Sequence, residues 1–321
     1  MSDSVAKAKI GLNLSRAQKQ LLSTFSGLFL LGVVFTILSP YFFSANNLLT
    51  VATQTAVIAI IAVGQTYVLI TGGIDLSIGS NMALAGMVAG MAMRAQLPVP
   101  LAIFCGLLTG IISGGVSGVL VAFGRLPPFI ATLGTMTVVR GLALTVTQAI
   151  PISGLPKNFT VWGTGSTLGI PNPVISTVLL VVIFGFILAK TKLGRHVYAT
   201  GSNFEAARLS GVNTNTVLVM VYVFSGLLAA FAGLIMAARI ISAQPAAGDG
   251  YELDAVASSV IGGTSTMGGE GTVAGTFIGA FVIGVLRNGL NLVGVSPFIQ
   301  KIVIGIVIVG SVFLDKIRRK D

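Results

Sequence analysis

Long apolar runs alternate with short polar segments along the whole chain. Residues 20–74 contain no charged side chain, and neither do residues 95–124 or 209–238. A helix needs about 20 apolar residues to cross the hydrocarbon core of a bilayer. The pattern therefore predicts an all-α, polytopic membrane protein with about ten transmembrane helices, near residues 21–39, 49–71, 76–93, 99–123, 128–149, 173–189, 215–241, 254–267, 271–292 and 297–314.

The positions of the basic residues predict how these helices are oriented. Lys and Arg accumulate on the cytoplasmic side of bacterial membranes. With both termini inside, 13 of the 19 Lys and Arg residues fall in cytoplasmic segments. We therefore expect a multi-pass protein of the bacterial inner membrane, with a cytoplasmic tail (residues 1–20), one transmembrane domain (21–314) containing a large cytoplasmic loop (190–214), and a second cytoplasmic tail (315–321). The first apolar run is too long for a signal-peptide core and predicts a retained helix.

Composition excludes several other classes of function. Hydrophobic residues make up 54% of the chain and charged residues 9%, whereas soluble domains carry about 25% charged residues. The net charge of +10 lies mostly in the tails and one loop, which argues against nucleic-acid binding. A single cysteine, Cys105, and a single histidine, His196, give no basis for a metal site or a catalytic centre. We expect a protein that is not itself an enzyme.

Two glycine patterns predict how the helices pack. Glycines recur every fourth residue in the fourth span and around the start of the ninth, so neighbouring helices can approach closely there; they are Gly106, Gly110, Gly114 and Gly118, then Gly271, Gly275 and Gly279. Gly-rich interruptions at residues 71–80 and 248–255 each hold an acid beside a leucine and open a short span. They suggest an inverted repeat that relates spans 2–5 to spans 7–10.

The large cytoplasmic loop contains the signals of a short helix. Ser202 or Asn203 can cap it, Glu205 and Arg208 can pair three residues apart, and Gly211 can end it. These signals alone are also those of an ordinary surface helix.

This loop and several other motifs resemble a known family. Glu205, Ala206, Ala207 and Gly211 match the E-A-A-x-x-x-G loop of ATP-binding-cassette (ABC) import permeases, although the later I-x-L-P part is absent. The chain is similar to the sugar-importing permeases of that family, the ribose branch above all, over residues 37–315. The segments that carry this resemblance are residues 73–80 (GIDLSIGS), 242–245, 250–255, 262–265 and 288–295.

The resemblance implies a set of partners. Two permease copies would enclose a central path in the lipid bilayer, with two cytoplasmic ATPase subunits below and a periplasmic sugar-binding protein above. Residues 205–207 and Gly211 would then couple the chain to its ATPase. No Gly-Lys pair occurs in the sequence, so the chain lacks the Walker lysine that contacts phosphates. ATP and magnesium are accordingly expected on the partner ATPase, and no cofactor in this chain.

Four polar residues in or near the spans are candidates for the path or for structural roles. Asp75 can cap the third span, which we favour, or act in transport. Arg140 lies within the fifth span and needs a partner, for which Asp75 or Asp254 is available. Asn288 and Asn291 can bind sugar hydroxyl groups or a neighbouring helix.

Three further residues, Gln244, Asp249 and Glu252, are expected in an outer loop, where they can contact the binding protein or remain solvated. The expected cargo is a neutral monosaccharide such as ribose, because zwitterions would need counter-charges in the path. The alternatives are a branched-chain amino-acid ABC permease and a proton-coupled secondary transporter.

Overall fold

A computed structural model of the protein describes residues 16–318. Most of the predicted tail 1–20 and part of the tail 315–321 lie outside this range. The described chain forms thirteen helices and four two-residue strands. They are α1 (Arg16–Leu38), α2 (Ala45–Ile70), α3 (Ile78–Arg94), α4 (Val99–Ala122), α5 (Pro128–Thr145), β1 (Ile152–Ser153), α6 (Lys157–Thr164), β2 (Ser166–Thr167), β3 (Ile170–Pro171), α7 (Asn172–Lys190), α8 (Lys192–Ser202), α9 (Phe204–Leu209), α10 (Thr214–Ile240), β4 (Ser242–Ala243), α11 (Tyr251–Ile261), α12 (Val273–Leu292) and α13 (Pro297–Arg318).

Seven of the described helices are long and apolar enough to cross a membrane: α1, α2, α4, α5, α7, α10 and α12. The protein is therefore all-α and polytopic, as predicted. A helix occupies each of the ten predicted positions, but α3 has 17 residues and α11 only 11. The count of ten crossings stays a prediction.

The most buried helices are α2, α3, α10 and α12, and glycines hold one face of α4 against α10. A Cβ atom on Gly110 would collide with the carbonyl oxygen of Gly226, and one on Gly226 with that of Gly110. On Gly118 it would lie 2.7 Å from the Cα of Val219. Only glycine lets the two backbones touch in this way. The predicted glycine face of the fourth span is thus confirmed; Gly275 and Gly279 likewise pack against α11 and its end.

The two ends of the bundle carry different structures. At one end, α6 packs on the last turn of α10, and β1 pairs antiparallel with β4. We call it the α6 end. At the opposite end, α8 and α9 fill the loop between α7 and α10. We call it the α9 end.

Two helix boundaries differ from the prediction for a local reason. α5 ends at Thr145 instead of residue 149, because Gln148 and Ala149 adopt a left-handed backbone. α11 spans Tyr251–Ile261 instead of 254–267, because four glycines with positive φ angles follow it; they are Gly263, Gly268, Gly269 and Gly271. Such residues end a helix.

Candidate functional site

The chain breaks its helical path between α2 and α3. α2 ends at Ile70, whose carbonyl oxygen accepts a hydrogen bond from the Gly269 amide (2.8 Å) at the α9 end. Gly72 then turns the chain with a φ angle of +80°. Residues 73–77 run back into the bundle without regular structure, and α3 begins only at Ile78.

Asp75 lies in this break and is fully buried. Its Oδ1 accepts hydrogen bonds from the amide (2.9 Å) and hydroxyl (2.6 Å) of Ser77, and its Oδ2 accepts one from the Ser225 hydroxyl (2.7 Å). Asn81 donates to the Ser77 hydroxyl (3.1 Å) and extends the network. These bonds replace the water that a buried carboxylate loses. Asp75 thus ties the start of α3 to α10, in line with the structural role that the sequence favours.

The contacts of Asp75 set the depth of the break. Ser225 is eleven residues into α10, a helix of 27 residues. At 1.5 Å per residue, it lies about 16 Å along a helix of about 40 Å. α3 therefore starts well inside the bundle, about halfway between the α9 end and the α6 end.

A second break enters from the opposite end. After β4, residues 244–250 leave the α6 end and run along α3. Ala243 packs against Gly90, whereas Gly248 packs against Gly79, eleven residues earlier in α3. The chain thus descends about 16 Å before α11 begins. The N-termini of α3 and α11 meet in the middle of the bundle.

This placement corrects the prediction of a single outer loop. Gln244 is exposed near the α6 end, where a soluble partner could reach it. Asp249 and Glu252 instead lie near the middle of the bundle, because the chain has descended before it reaches them. The sequence pattern shows a polar, Gly-rich segment but not the depth at which it lies.

We expect substitution of Gly248 to separate the two helix starts. A Cβ atom there would lie 2.5 Å from the Gly79 carbonyl oxygen, whereas one on Gly250 meets nothing within 4 Å. Both glycines have a positive φ angle, +74° and +80°. Gly250→Ala should therefore cost about 1 kcal/mol of backbone strain, and Gly248→Ala about 1–3 kcal/mol more from overpacking. Thermal unfolding in detergent, monitored through the reactivity of the Cys105 thiol, measures both losses of stability. Equal losses would show that the contact is unimportant.

Arg140 holds the descending segment in place. Its Nη1 donates to the carbonyl oxygens of Pro245 (2.8 Å) and Ala247 (2.9 Å). The predicted ion pair with Asp75 or Asp254 is therefore wrong. The Asp75 carboxylate accepts its hydrogen bonds from Ser77 and Ser225, and Asp254 forms an ion pair with Arg287. Backbone carbonyl groups accept the hydrogen bonds of the guanidinium group instead. A sequence pattern cannot predict such partners.

Asp254 and Arg287 form a separate ion pair between α11 and α12. The Nη2 of Arg287 lies 2.6 Å from the Oδ2 of Asp254, whose side chain is 1% exposed. Arg287 also stacks over the Tyr251 ring, 5.8 Å from its centroid. The pair fixes the angle between a short helix and a long one.

The two asparagines of α12 differ in environment. Asn288 exchanges two amide hydrogen bonds of 3.0 Å with Asn47 of α2. Of the two roles open to it, the contact with a neighbouring helix is the one that the structure contains. Asn291 is exposed.

The predicted helix in the large loop is present as α9. The Asn203 side chain caps it by accepting a hydrogen bond from the Ala206 amide (3.0 Å), and Arg208 pairs with Glu205 at 2.8 Å. Gly211 follows with a φ angle of +83°. Ala207 is buried within this chain, whereas Leu209 is 81% exposed. A surface that receives a partner here would use Leu209 and Phe204 rather than Ala207.

Sequence reasoning missed how this loop is fixed to the bundle. The Tyr198 hydroxyl in α8 donates to the Gly271 carbonyl oxygen (2.6 Å), and its burial raises the pKa of the phenol. Gly201 packs directly on the Ile70 carbonyl group, where a Cβ atom would collide. α8 thus contacts both the end of α2 and the segment between α11 and α12. The clustered glycines 268, 269 and 271 were the available signal.

A groove lies beside α9 and could accept part of a partner. It has a volume of about 880 Å³ and lies between α9 and the turn that joins α4 to α5. Arg125, Phe204, Glu205 and Arg208 line its mouth with mixed charge. Among the side chains that the structure describes, no three His, Cys, Asp or Glu residues come together as metal ligands.

Comparison with known proteins adds a family and several relatives. Residues 47–312 match the family described as the branched-chain amino acid transport system / permease component. The chain is 50% identical over 300 residues to the ribose import permease protein RbsC of Bacillus subtilis (strain 168), covering 92% of this chain and 93% of that protein. It is 46% identical over 292 residues to RbsC of Escherichia coli (strain K12), covering 90% and 91%. To the D-allose transport system permease protein AlsC of the same strain it is 38% identical over 299 residues, covering 92% of each chain.

Proposed function

Since this chain belongs to the family of the branched-chain amino acid transport system permease component, we propose that it is the membrane subunit of an ATP-driven importer of a neutral sugar, ribose or another monosaccharide. The observation that carries the choice of sugar is the high identity to permeases named for ribose and allose. The family description names amino acids, but these relatives match over nine-tenths of the chain.

The charges in the middle of the bundle support a neutral cargo. A zwitterionic amino acid presents a carboxylate, which needs a free cation nearby. Among the described residues at this depth, Arg140 is bound to two carbonyl groups and Arg287 to Asp254. Sugar hydroxyl groups need only hydrogen-bond donors and acceptors.

The assembly follows from the same proposal. Two copies of the chain would face each other in the bacterial inner membrane, with both termini in the cytoplasm. ATPase subunits would bind ATP and magnesium and dock at the α9 end through residues 203–211. A periplasmic sugar-binding protein would deliver its cargo at the α6 end, near Gln244. Alternating access would then couple ATP binding to movement of the bundle.

We also propose that the ten helices found at the predicted positions form an inverted repeat. α3 and α11 are the two short helices, and each follows a break in the chain. Their N-termini approach the middle from opposite ends of the bundle. Such pairs of discontinuous helices characterise inverted repeats in transporters, and they concentrate polar groups at the membrane midplane.

Uptake into proteoliposomes tests the proposal. Vesicles that contain the chain, its ATPase and the binding protein should accumulate labelled ribose when ATP is enclosed on the ATPase side. They should not accumulate labelled leucine. Preference for leucine would establish the amino-acid alternative. Ribose uptake driven by a proton gradient without ATP would instead establish a secondary transporter.

A further inference from the structure

Two carboxylates lie at an unusual depth. Asp249 is exposed on the surface of this chain, and Glu252 is half-buried one turn later. Both flank Gly250, where α11 begins, beside the contact of Gly248 with Gly79. Gly79 is fifteen residues, about 22 Å, from the end of α3 at Arg94. The hydrocarbon core is about 30 Å thick in total, so these carboxylates lie deep within it.

An exposed carboxylate at that depth cannot face lipid. A charged side chain in the hydrocarbon core is costly, and charged groups in membrane proteins face a bundle interior or a water-filled space. Arg140 lies close enough to Asp249 and Glu252 to interact with both carboxylates electrostatically. Its hydrogen bonds go to the carbonyl groups of Pro245 and Ala247 instead, so among the described residues it forms no salt bridge with either carboxylate. Ser80, next to Gly79, is 1% exposed, and its hydroxyl group is without a hydrogen-bond partner in the described part of the chain. An unpaired hydroxyl group thus lies next to Gly79, against which the Glu252 carboxylate also packs.

We propose that residues 244–252 form part of the wall of the aqueous transport path, with the Asp249 and Glu252 carboxylates as acceptors for cargo hydroxyl groups. Arg140 is the positioning residue that holds this wall. The inference rests on the proposed function and deepens it, because it names the residues at which a polyhydroxylated, uncharged molecule would be held in transit. Carboxylates accept strong hydrogen bonds from hydroxyl groups and repel anions.

Arg140 joins two points of the descending segment. Its Nη1 alone donates to two carbonyl groups that lie two residues apart in an irregular backbone. Ala247 packs in turn against the apolar cluster that α3 and α5 form with Ala83, Leu84, Val139 and Ala143. Arg140 and these apolar contacts together hold the segment between α3 and α5.

Water accessibility tests the first part of the inference. Two variants of a Cys105→Ser chain are compared. One carries a single cysteine at Asp249, and the other carries one at Val182, an exposed apolar position in the middle of the spanning helix α7. A small, charged, thiol-reactive reagent is applied to both sides of the membrane. Only a hydrated cysteine ionises readily, so Asp249→Cys should react at least about tenfold faster than Val182→Cys. Equal rates would place Asp249 in lipid and overturn the inference.

Transport tests the second part. Asp249→Asn combined with Glu252→Gln should lower ribose uptake about tenfold or more, because two charged acceptors are lost. Asp249→Glu, which keeps the charge, should retain most uptake. Arg140→Met should slow the labelling of Asp249→Cys and reduce uptake, and Arg140→Lys should restore part of both. Unchanged labelling and uptake in Arg140→Met would exclude the positioning role.

The proposed function and the proposed location of the transport path can be disproved independently. If wild-type vesicles do not transport ribose but Asp249→Cys is readily labelled, the sugar assignment is wrong and the path remains. If ribose is transported and Asp249→Cys is not labelled, the path lies elsewhere in the assembly.

Discussion

Replacing Leu209 by aspartate should abolish ATP-driven uptake while leaving the chain folded in the membrane. Leu209 is 81% exposed at the end of α9, the same short helix that presents Phe204, and docking of the ATPase on this helix would bury both side chains. Apolar anchors at the centre of an interface typically contribute 2 kcal/mol or more to binding. The ATPase should therefore bind at least about thirtyfold more weakly.

The measurement is co-purification of the ATPase with the tagged chain, together with uptake in proteoliposomes. Leu168→Asp is the matched control, since this leucine is 97% exposed but belongs to the β2–β3 turn in the segment that carries α6. The control should retain the ATPase. If Leu209→Asp also retains it and transports sugar, α9 is not the docking element. Ala207→Glu is unsuitable for this test, because Ala207 packs inside its own chain and the variant would disturb the loop itself.

Removing Arg287 should produce a large loss of stability. Arg287→Met leaves the Asp254 carboxylate buried without its counter-ion, at 1% exposure. Breaking one side of a fully buried pair costs about 3–5 kcal/mol, mostly because the remaining charge is uncompensated. Since the Arg287 side chain is 35% exposed, we expect a loss at or below the lower end of that range. The double variant Asp254→Asn, Arg287→Met should regain much of this loss, since the buried charge is gone.

Thermal unfolding in detergent, reported by the exposure of Cys105 in α4, gives the comparison directly. The exposed pair Glu205–Arg208 provides the control, because both of its side chains are more than half exposed. Arg208→Met should change stability by no more than about 0.5 kcal/mol. If the double variant were as unstable as Arg287→Met alone, packing of the arginine rather than charge would be responsible.

The features that could be predicted from the sequence are those with local causes. The cap at Asn203, the pair Glu205–Arg208 and the stop at Gly211 all lie within nine residues, so α9 was predicted correctly. The spans follow from apolar runs in the same way. The glycine face of α4 also follows, because its period of four matches one side of a helix.

The features that could not be predicted depend on depth and on distant partners. Residues 244–250 appear as a loop whether they stay at the surface or descend along α3. Arg140 binds backbone carbonyl groups, and every residue has one. Asn288 forms hydrogen bonds with Asn47, which is 241 positions away in the sequence. Hydropathy assigns residues to the membrane but does not assign neighbours, so these contacts needed the three-dimensional structure.

The glycine contact between α4 and α10 has a consequence for how such a protein can change shape. Where two backbones touch, there are no side chains between them that could adopt new rotamers, and sliding by a fraction of a turn would drive carbonyl oxygens into Cα atoms. The two helices must therefore travel together as one rigid body. Opening and closing is left to surfaces joined by side chains, such as that between α5 and α3, where Val139, Ala143 and Leu84 share one apolar cluster. Two spectroscopic labels, one on α4 and one on α10, should thus keep a constant separation during transport. That distance can serve as the internal reference for measuring how far the other helices move.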